Sequence, residues 1–421
     1  MLLIKNIRQV LTLRGGASPR SGGEMRELGI VENGAVLIRG DRIEWAGPTR
    51  DLPARPPRAR FQVIDGVGLD LVALPGFVDS HTHPVFAGTR ADEYDLRCQG
   101  KSYQEIAGLG GGIRASVRQL REATMDQLVT RAQGHLHQFL QHGTTTIEAK
   151  SGYGLSLQDE LKILRTIAKL RAGNRMELVA TLLAAHDVPD EYRSSREGYV
   201  REIVEEMIPA AAREGLAQYC DVFCEAGYFT VDESRAVLLA ARKAGMGLRI
   251  HAEQLSRSGG AMLAAELGAV SADHLEWADD EDIRALKKAG TIATLLPGSA
   301  FNLGLPRYPP ARRMIEAGVP VALATDFNPG SCFTLNMQLI LSIACSQMKM
   351  TPAEAITAAT INGAHALEIA DRAGSIEEGK QADIVLMNVP DYLEIPYFFG
   401  VNHCVVVVKK GNIVINDLES A

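Results

Sequence analysis

Hydrophobic and polar positions follow one pattern in the middle of the chain and another at its two ends. In the middle, short apolar runs alternate with longer helical stretches, which predicts β-α units and a parallel sheet. Eight apolar runs can be counted: LPGFVDSHTH, TTTIEAKSGYG, LVATLLAAH, YCDVFCEAG, GLRIHAEQ, VSADHL, TIATLLPG and VALATDFNPG. Eight such units predict a (β/α)8 barrel, a fold whose chemistry lies at the carboxyl ends of its strands.

The stretches between these runs have the ends expected of helices. DELKILRTIAKLRAG, DESRAVLLAARKAG and DEDIRALKKAG each begin with acidic residues and end with basic residues followed by glycine. This order suits the helix dipole and a glycine C-cap. Segment 92–142 is longer than one crossover needs and contains GLGGGI at 108–113. We interpret that sequence as a flexible loop that could cover the site.

Both ends of the chain are typical of β-structure. LLIKNIRQVLTL and GAVLIRGDRIEWAGP near the start, and GKQADIVLMNV and CVVVVKKGNIVIN near the end, are apolar runs separated by turn signals. We predict a small β-sandwich domain formed by residues 1–70 together with 376–421, and a barrel domain over 71–375. The two termini then lie near each other.

Composition narrows the function classes. The 421 residues include 44 Lys and Arg against 51 Asp and Glu, a net charge of −7, which gives no reason to expect nucleic-acid binding. No apolar run reaches the length of a membrane span, and the first residues lack the layout of a signal peptide. The sequence therefore predicts a cytoplasmic protein without a membrane partner. Its six cysteines form no CxxC pair, and we expect reduced core thiols.

Polar side chains close several of the predicted strands. They are His81 and His83 on strand one, His186 on strand three, His251 on strand five, His274 on strand six and Asp326 on strand eight. In a strand, residues two apart point to the same side, so both imidazoles of His81-Thr82-His83 point into the barrel, about 7 Å apart. An isolated HxH is weak evidence, but here it follows a buried strand and later strands end in further ligand types.

We therefore predict one divalent metal ion per chain, held by His81, His83, His251 and Asp326. A set of nitrogen and oxygen ligands suits Zn²⁺ or iron, Fe²⁺ or Fe³⁺. Such an ion would lower the pKa of a bound water toward about 7. Asp326 is the predicted acceptor of that water's proton, and His274 is predicted to orient the water or polarise a carbonyl.

The chain resembles the amidohydrolase superfamily. The motifs that carry the resemblance are PGFVDSHTH (75–83), IHAE (250–253), DHL (273–275), ATDFNPGS (324–331) and the helix ITAATINGAHAL (356–367). The resemblance covers nearly the whole chain, including the split β-domain. It implies a barrel hydrolase with the four metal ligands named above, and it implies a homodimer because related barrels are commonly dimeric.

Further segments resemble one family within this superfamily: HTHPVFAGTRADEY, GGGI, EAKSGYGL, AAHDVP, HAEQ and DFNPGS. That family opens the ring of 4-imidazolone-5-propanoate with water and gives N-formimidoyl-L-glutamate. The resemblance implies that substrate is contacted by Arg90, Tyr153, His186, Gln254, Asn328, Gly330 and Ser331. It adds Gln254 to the catalytic set of Asp326 and His274. A propanoate needs a cationic partner, and the guanidinium of Arg90 can hold a carboxylate with two hydrogen bonds.

Three alternatives stay open at this point. A deaminase of the same superfamily generally has Glu three residues after the strand-five histidine, where this chain has Gln254, although Glu253 lies next to it. A two-metal hydrolase would need a carboxylated Lys on strand four, whereas Lys150 falls on strand two and is interpreted as structural or electrostatic. A barrel that binds a metal or small acid without turnover is the third alternative.

Overall fold

The architecture follows from a computed structural model that describes residues 1–53, 62–101, 105–106, 110–173 and 175–418. The strands are β1 Leu2–Leu11, β2 Ile30–Arg39, β3 Arg42–Pro48, β4 Gln62–Asp65, β5 Leu71–Pro75, β6 Phe77–Asp79, β7 Thr144–Lys150, β8 Glu177–Ala185, β9 Tyr219–Cys224, β10 Gly247–Ala252, β11 Ser271–His274, β12 Ile292–Leu295, β13 Val321–Leu323, β14 Ile384–Asn388, β15 Cys404–Lys409 and β16 Asn412–Asn416.

The α-helices are α1 Ala91–Cys98, α2 Ile113–Glu122, α3 Met125–Gln141, α4 Leu157–Gly173, α5 Arg196–Glu202, α6 Ile208–Arg213, α7 Val231–Lys243, α8 Gly260–Leu267, α9 Asp280–Ala289, α10 Pro297–Leu303, α11 Ala311–Ala317, α12 Met337–Met348, α13 Pro352–Ala358, α14 Ile361–Ala366 and α15 Glu394–Tyr397. A π-helical turn, Ile203–Met207, joins α5 to α6. Short 3₁₀ turns lie at Gly22–Arg26, Thr49–Asp51 and Asp190–Tyr192.

Strands β6 to β13 form the predicted barrel. They pair in parallel and in chain order, so the count of eight strands is confirmed. The first and last strands meet just beyond their ends, where Thr82 bridges Phe327 and the His83 amide donates to the Phe327 carbonyl at 2.9 Å. Below this closure the buried carboxylate of Asp79 accepts hydrogen bonds from the amide and the hydroxyl of Thr325. These contacts close the barrel beside two segments, one carrying the HxH motif and the other carrying Asp326.

The helices around the barrel begin and end as the sequence predicts. Helices α7 and α9 start with capping boxes built on Thr230 and Asp279, which satisfy amide groups of the first turn. Helix α9 carries two lysines in its last turn and ends at Gly290, whose φ is +74°. Among the described residues, segment 92–142 contains most of α1, the whole of α2 and α3, and the helical residues 105 and 106. Residues 108 and 109 of the predicted GLGGGI loop lie outside the described residues.

Both termini build a second sheet. Its strand order is β16-β15-β14-β5-β1-β2-β3, with β4 beside β1, so the predicted β-unit from both ends is confirmed. The residue bounds of the two predicted domains stay a prediction. Strand β5 pairs in this sheet, and the chain enters the barrel immediately afterwards through Gly76. A Cβ at Gly76 would meet the side chain of Thr145 at 2.3 Å, so only glycine fits this passage.

The positions of the cysteines agree only in part with the expectation that they are core thiols. All six cysteines are unpaired, and four are buried, but Cys98 is exposed and Cys345 is partly exposed, so they are not all core residues. Cys98, the last residue of helix α1, lies at the surface. Among the described residues, no helix has both the length and the apolar character needed to cross a bilayer.

Candidate active site

The predicted ligand residues lie together at the carboxyl ends of the barrel strands. His81 and His83 follow β6, His251 lies in β10, and ligand nitrogens of these three buried rings lie within 4.8 Å of one another. Atoms of His81, His274 and Asp326 meet the same limit. Oδ1 of Asp326 is 3.5 Å from His81 Nε2 and 3.6 Å from His83 Nε2. The two strand-one histidines therefore face the strand-eight carboxylate.

Two of these histidines are oriented by buried carboxylates. His81 Nδ1 donates to Asp273 Oδ2 at 2.6 Å, and His251 Nδ1 lies 2.9 Å from Asp221 Oδ2. When Nδ1 carries the proton, Nε2 keeps its lone pair for another partner. His81 Nε2 is buried and has no hydrogen-bond partner in the described part of the chain, which is costly unless an ion occupies the cluster. The donor set therefore fits a metal ion.

The charge state of the histidine rings also suits metal binding. Burial is the main reason that the pKa of His81 and the pKa of His83 lie well below the usual range for histidine. Neutral imidazoles are the form that binds a metal. Burial also lowers the pKa of His186 to about 3, and its ring stacks on His83 at a centroid distance of 5.4 Å. His186 Nδ1 donates a hydrogen bond to the Gly152 carbonyl at 2.9 Å, which leaves Nε2 as the nitrogen that can contact a ligand.

Asp326 has two oxygens with different surroundings. Oδ1 faces the histidines, whereas Oδ2 accepts hydrogen bonds from the hydroxyls of Ser299 and Ser331. The backbone at Asp326 has φ of +54°, a conformation that non-glycine residues seldom adopt. Such a conformation persists where the surrounding structure enforces it, as is common at functional sites. One oxygen of this carboxylate is thus anchored and the other is directed at the histidine cluster.

His274 lies beside the cluster with similar backbone strain. Its φ is +80°, and its ring centroid is 5.3 Å from that of His251. Burial acts to lower the pKa of His274, but the neighbouring Glu276, whose Oε1 is 3.7 Å from Nδ1, leaves that pKa above the usual value. His274 can therefore supply a proton or a hydrogen bond toward the cluster.

A cavity of about 440 Å³ opens above these residues. Among its lining are all the sequence-predicted site residues except His81, which lies beneath it: His83, Arg90, Tyr153, His186, Gln254, His251, His274, Asp326, Asn328, Gly330 and Ser331. Apolar walls come from Phe223, Leu303 and Leu305 among others. The size suits a small ring with a short side chain.

Arg90 is held at the edge of this cavity. Its Nε and Nη2 donate to Glu93 Oε2 at 2.9 and 2.6 Å, and Glu93 Oε1 accepts the Gly112 amide at 2.9 Å. Gly330 lies directly against the guanidinium, since a Cβ there would meet Arg90 Nη1 at 2.2 Å. Gly330 thus leaves the space that Arg90 occupies. The described part of the glycine-rich segment is tied to Arg90 through Glu93.

The turn after Asp326 is held by its own side chain. Asn328 Oδ1 accepts the amides of Gly330 and Ser331, both at 2.8 Å, and Asn328 Nδ2 donates to the Ser331 hydroxyl at 2.7 Å. Both amides are therefore used within the turn. The turn in turn fixes the serine that anchors Asp326.

Comparison with known proteins identifies the family. The model of the amidohydrolase family matches residues 72–414. An imidazolonepropionase of Solibacter usitatus (strain Ellin6076) is 53% identical over 395 residues, 94% of each chain. One of Geobacillus kaustophilus (strain HTA426) is 48% identical over 419 residues, covering 99% of this chain and 98% of the relative. The chain belongs to the imidazolonepropionase family.

Solved structures show the same fold at low identity. An adenosine deaminase from Xanthomonas campestris with bound zinc matches with a TM-score of 0.73 and 19% identity, covering 99% of this chain and 93% of that one. A mutant atrazine chlorohydrolase from Arthrobacter aurescens TC1, complexed with zinc and atraton, gives 0.71 and 18%, covering 99% and 96%. This chain therefore shares its fold with that adenosine deaminase and that atrazine chlorohydrolase.

Several residues of this imidazolonepropionase-family site were missed by sequence reasoning. Arg97 and Lys101 line the cavity, and Arg97 Nη1 donates to the Gly330 carbonyl at 3.1 Å. Asp221 and Asp273 contact the histidines from below. A signal for the last two existed, because an ionisable residue inside a fully buried strand needs a partner. Arg97 carried no such signal, since it lies on helix α1 among other charged residues.

Proposed function

We propose that this chain is an imidazolonepropionase that hydrolyses the ring amide of 4-imidazolone-5-propanoate to N-formimidoyl-L-glutamate, a step of histidine degradation. It acts on the carbon–nitrogen bond of a cyclic amide. The observation that carries the proposal is one cavity that combines a buried His/Asp cluster at its base with the guanidinium of Arg90 at its edge. The family to which the chain belongs supplies the identity of the ring.

In this proposal His81, His83, His251 and Asp326 hold one divalent metal ion, zinc or iron. When bound, such an ion makes a water acidic enough to lose its proton near neutral pH. Nitrogen and oxygen ligands without thiolate suit both metals. A single ion is favoured because β9, the fourth barrel strand, ends in Cys224 and carries no lysine. Lys150 lies on the second strand, and its ammonium is occupied by carboxylates.

The substrate is held by residues around the cavity. Arg90 binds the propanoate carboxylate, for which its guanidinium has a suitable geometry. Tyr153 and His186 position the ring, and Gln254 offers an amide that can both donate and accept. Asn328, Gly330 and Ser331 form the wall nearest Arg90.

Proton transfer and charge stabilisation fall to two residues. Asp326, whose Oδ1 faces the histidine cluster and whose Oδ2 is anchored by serine hydroxyls, takes the proton of the attacking water. Asp326 then returns the proton to the leaving ring nitrogen, so that the ring carbon–nitrogen bond breaks. His274 stabilises the charge that develops on the carbonyl oxygen, a contribution often worth several kcal/mol.

The deaminase alternative is weakened by the position of Glu253. Both of its oxygens accept backbone amides, of Gly259 at 2.7 Å and Ala261 at 2.6 Å, next to the start of helix α8. The side chain is therefore turned away from the cavity, although burial raises the pKa of Glu253 to about 7. Gln254 is the residue that faces the substrate, and an amide cannot shuttle protons to a leaving ammonia as a carboxylate does.

One experiment tests the proposal directly. Protein loaded with Zn²⁺ or Fe²⁺ is incubated with imidazolone propanoate while the ultraviolet absorbance of the ring is followed, and we expect its steady loss. The same preparation is assayed for ammonia release from guanine and cytosine, where we expect none. Ammonia release without loss of the imidazolone would replace this proposal with the deaminase. Metal binding with neither reaction would favour the non-catalytic barrel. The homodimer and the cytoplasmic location stay predictions.

A further inference from the structure

Beneath the proposed metal site, the barrel interior contains a layer of five charged side chains. We call it the charge layer: Glu148 and Lys150 on β7, Asp221 on β9, Arg249 on β10 and Asp273 on β11. All five are fully buried. Removing an ion from water costs several kcal/mol, and well-packed apolar residues are often as stabilising as buried ion pairs. The burial of five charges therefore indicates a role other than stability for this layer.

Lys150 lies at the centre of the charge layer. Its Nζ is 2.6 Å from Asp221 Oδ2, 2.9 Å from Glu148 Oε2 and 3.6 Å from Asp273 Oδ2. The same oxygen of each aspartate also contacts a histidine: Asp221 Oδ2 is 2.9 Å from His251 Nδ1, and Asp273 Oδ2 is 2.6 Å from His81 Nδ1. One ammonium therefore joins the two carboxylates that orient two histidines on different strands.

Arg249 ties the layer to the end of strand β6. Its Nε is 3.2 Å from Glu148 Oε1, and its Nη1 donates to the carbonyl of Ser80, the residue before His81. Lys150 and Arg249 thus share Glu148. The charges of the layer, three negative and two positive, leave one excess negative charge directly below the histidine cluster, which favours a cation there.

We propose that Lys150 is a positioning residue that couples the orientation of His81 to that of His251 and thereby sets the affinity of the site for its metal ion. This inference rests on the metal ligands of the proposed function. Lys150 is fully buried and does not line the cavity, so it acts through the aspartates and not on the substrate. It keeps both aspartates as acceptors of the Nδ1 protons, which leaves each Nε2 free to bind the ion.

The first test replaces the ammonium. Lys150→Met and wild type are compared for Zn²⁺ affinity by competition with a chelating dye, and for the visible spectrum after loading with Co²⁺. We expect Lys150→Met to bind about 10- to 100-fold more weakly, the usual effect of losing an outer partner of a metal ligand. We also expect a changed Co²⁺ spectrum, since the two rings are no longer held together.

Lys409 provides the matched control. It is also a fully buried lysine, and its Nζ pairs with Asp383 at 2.7 Å in the terminal sheet. Lys409→Met should lower stability comparably while leaving Zn²⁺ affinity within twofold of wild type. An affinity within threefold of wild type for Lys150→Met, together with an unchanged Co²⁺ spectrum, would overturn the proposal.

A second test does not depend on the folding of Lys150→Met. Zn²⁺ affinity is measured for Asp221→Asn, Asp273→Asn and the double variant. If Lys150 couples the aspartates, the loss in the double variant differs by more than threefold from the product of the single losses. Losses that multiply would refute the coupling. Failure of the proposed function is recognised separately, by a His81→Ala variant that binds Zn²⁺ as tightly as wild type.

Discussion

The terminal sheet and the barrel interior bury different kinds of side chain. The terminal sheet buries mainly aliphatic side chains, with Ile384, Leu386 and Val406 fully covered, and its buried Lys409 is paired with Asp383. The barrel instead buries histidines, carboxylates and two long cations at the ends of its strands. Aliphatic burial stabilises the fold wherever it occurs, whereas buried charge needs a partner for each group. The difference indicates that the sheet serves stability, while the strand ends of the barrel serve chemistry.

Backbone strain shows the same difference. Glu253, His274 and Asp326, which lie at or just beyond barrel strands, have φ of +50°, +80° and +54°. Within the strands of the sheet, the positive φ values of Asn6 and Asn33 fall on a residue type that tolerates them, and Lys410 has a positive φ in the hairpin turn between β15 and β16. Strained conformations cost about 1–3 kcal/mol each and are kept where surrounding contacts enforce them. The comparison can therefore be tested by substitutions that remove chemistry without changing the backbone.

The largest effect is expected for Asp326→Asn. Asn tolerates the positive φ and keeps the shape, but it cannot take a proton from water. We expect the turnover number to fall about 100- to 10,000-fold, the range assigned to a general base, with further loss if metal binding weakens. Metal content is measured on the same sample. Asp383→Asn in the terminal sheet is the control, and equal losses of turnover in both variants would contradict the assignment.

His274→Asn should give the next largest effect. Asn suits the φ of +80° better than Ala does, so the loss reports the imidazole and not the backbone. We expect turnover to fall about 100- to 1,000-fold, as when one stabilising group at a developing oxyanion is removed. Metal content should stay near that of the wild type. Full activity would remove the role given to His274.

Part of this site could be predicted from the sequence for clear physical reasons. The period of β-α units gave eight strands in the right order, and the two-residue spacing of His81 and His83 placed both rings inside the barrel. The contacts of Asp221 and Asp273 could not be predicted, because they depend on which side chains of different strands meet inside the barrel. YCDVFC indicates a buried strand equally well whether or not a histidine of another strand contacts Asp221.

The contacts that hold Arg90 could not be predicted from the sequence for a similar reason. Its position after the HxH strand favoured a carboxylate partner, but its contact with Gly330 joins residues far apart in the chain. Sequence reasoning also assigned Gly330 and Ser331 to the substrate contacts but gave no indication of which side chain accepts their amides. Asn328 accepts both of them, and only the three-dimensional turn shows this.

A smaller and more selective effect is expected for Arg90→Ala. A hydrogen bond to a charged group contributes about 1.5–3 kcal/mol, which corresponds to roughly a 10- to 100-fold change. We expect KM for imidazolone propanoate to rise by that factor while the turnover number changes less. Arg39→Ala, which removes an exposed arginine paired with Glu44, is the control. An unchanged KM would exclude Arg90 as the carboxylate partner.

The smallest effect on activity, and the sharpest test of the comparison, is expected for Ile384→Ala in the terminal sheet. Ile384 is fully buried between β5 and β15, so the shortened side chain leaves a cavity that should lower the free energy of unfolding by about 2–5 kcal/mol. Because Ile384 belongs to the hydrophobic cluster of the sheet and not to the lining of the cavity, turnover per bound metal and KM should match those of wild type. Chemical denaturation and metal-normalised kinetics measure the two quantities on one preparation. If turnover per metal instead fell tenfold, the sheet would have to shape the barrel mouth, and the division between a stabilising and a chemical region would fail.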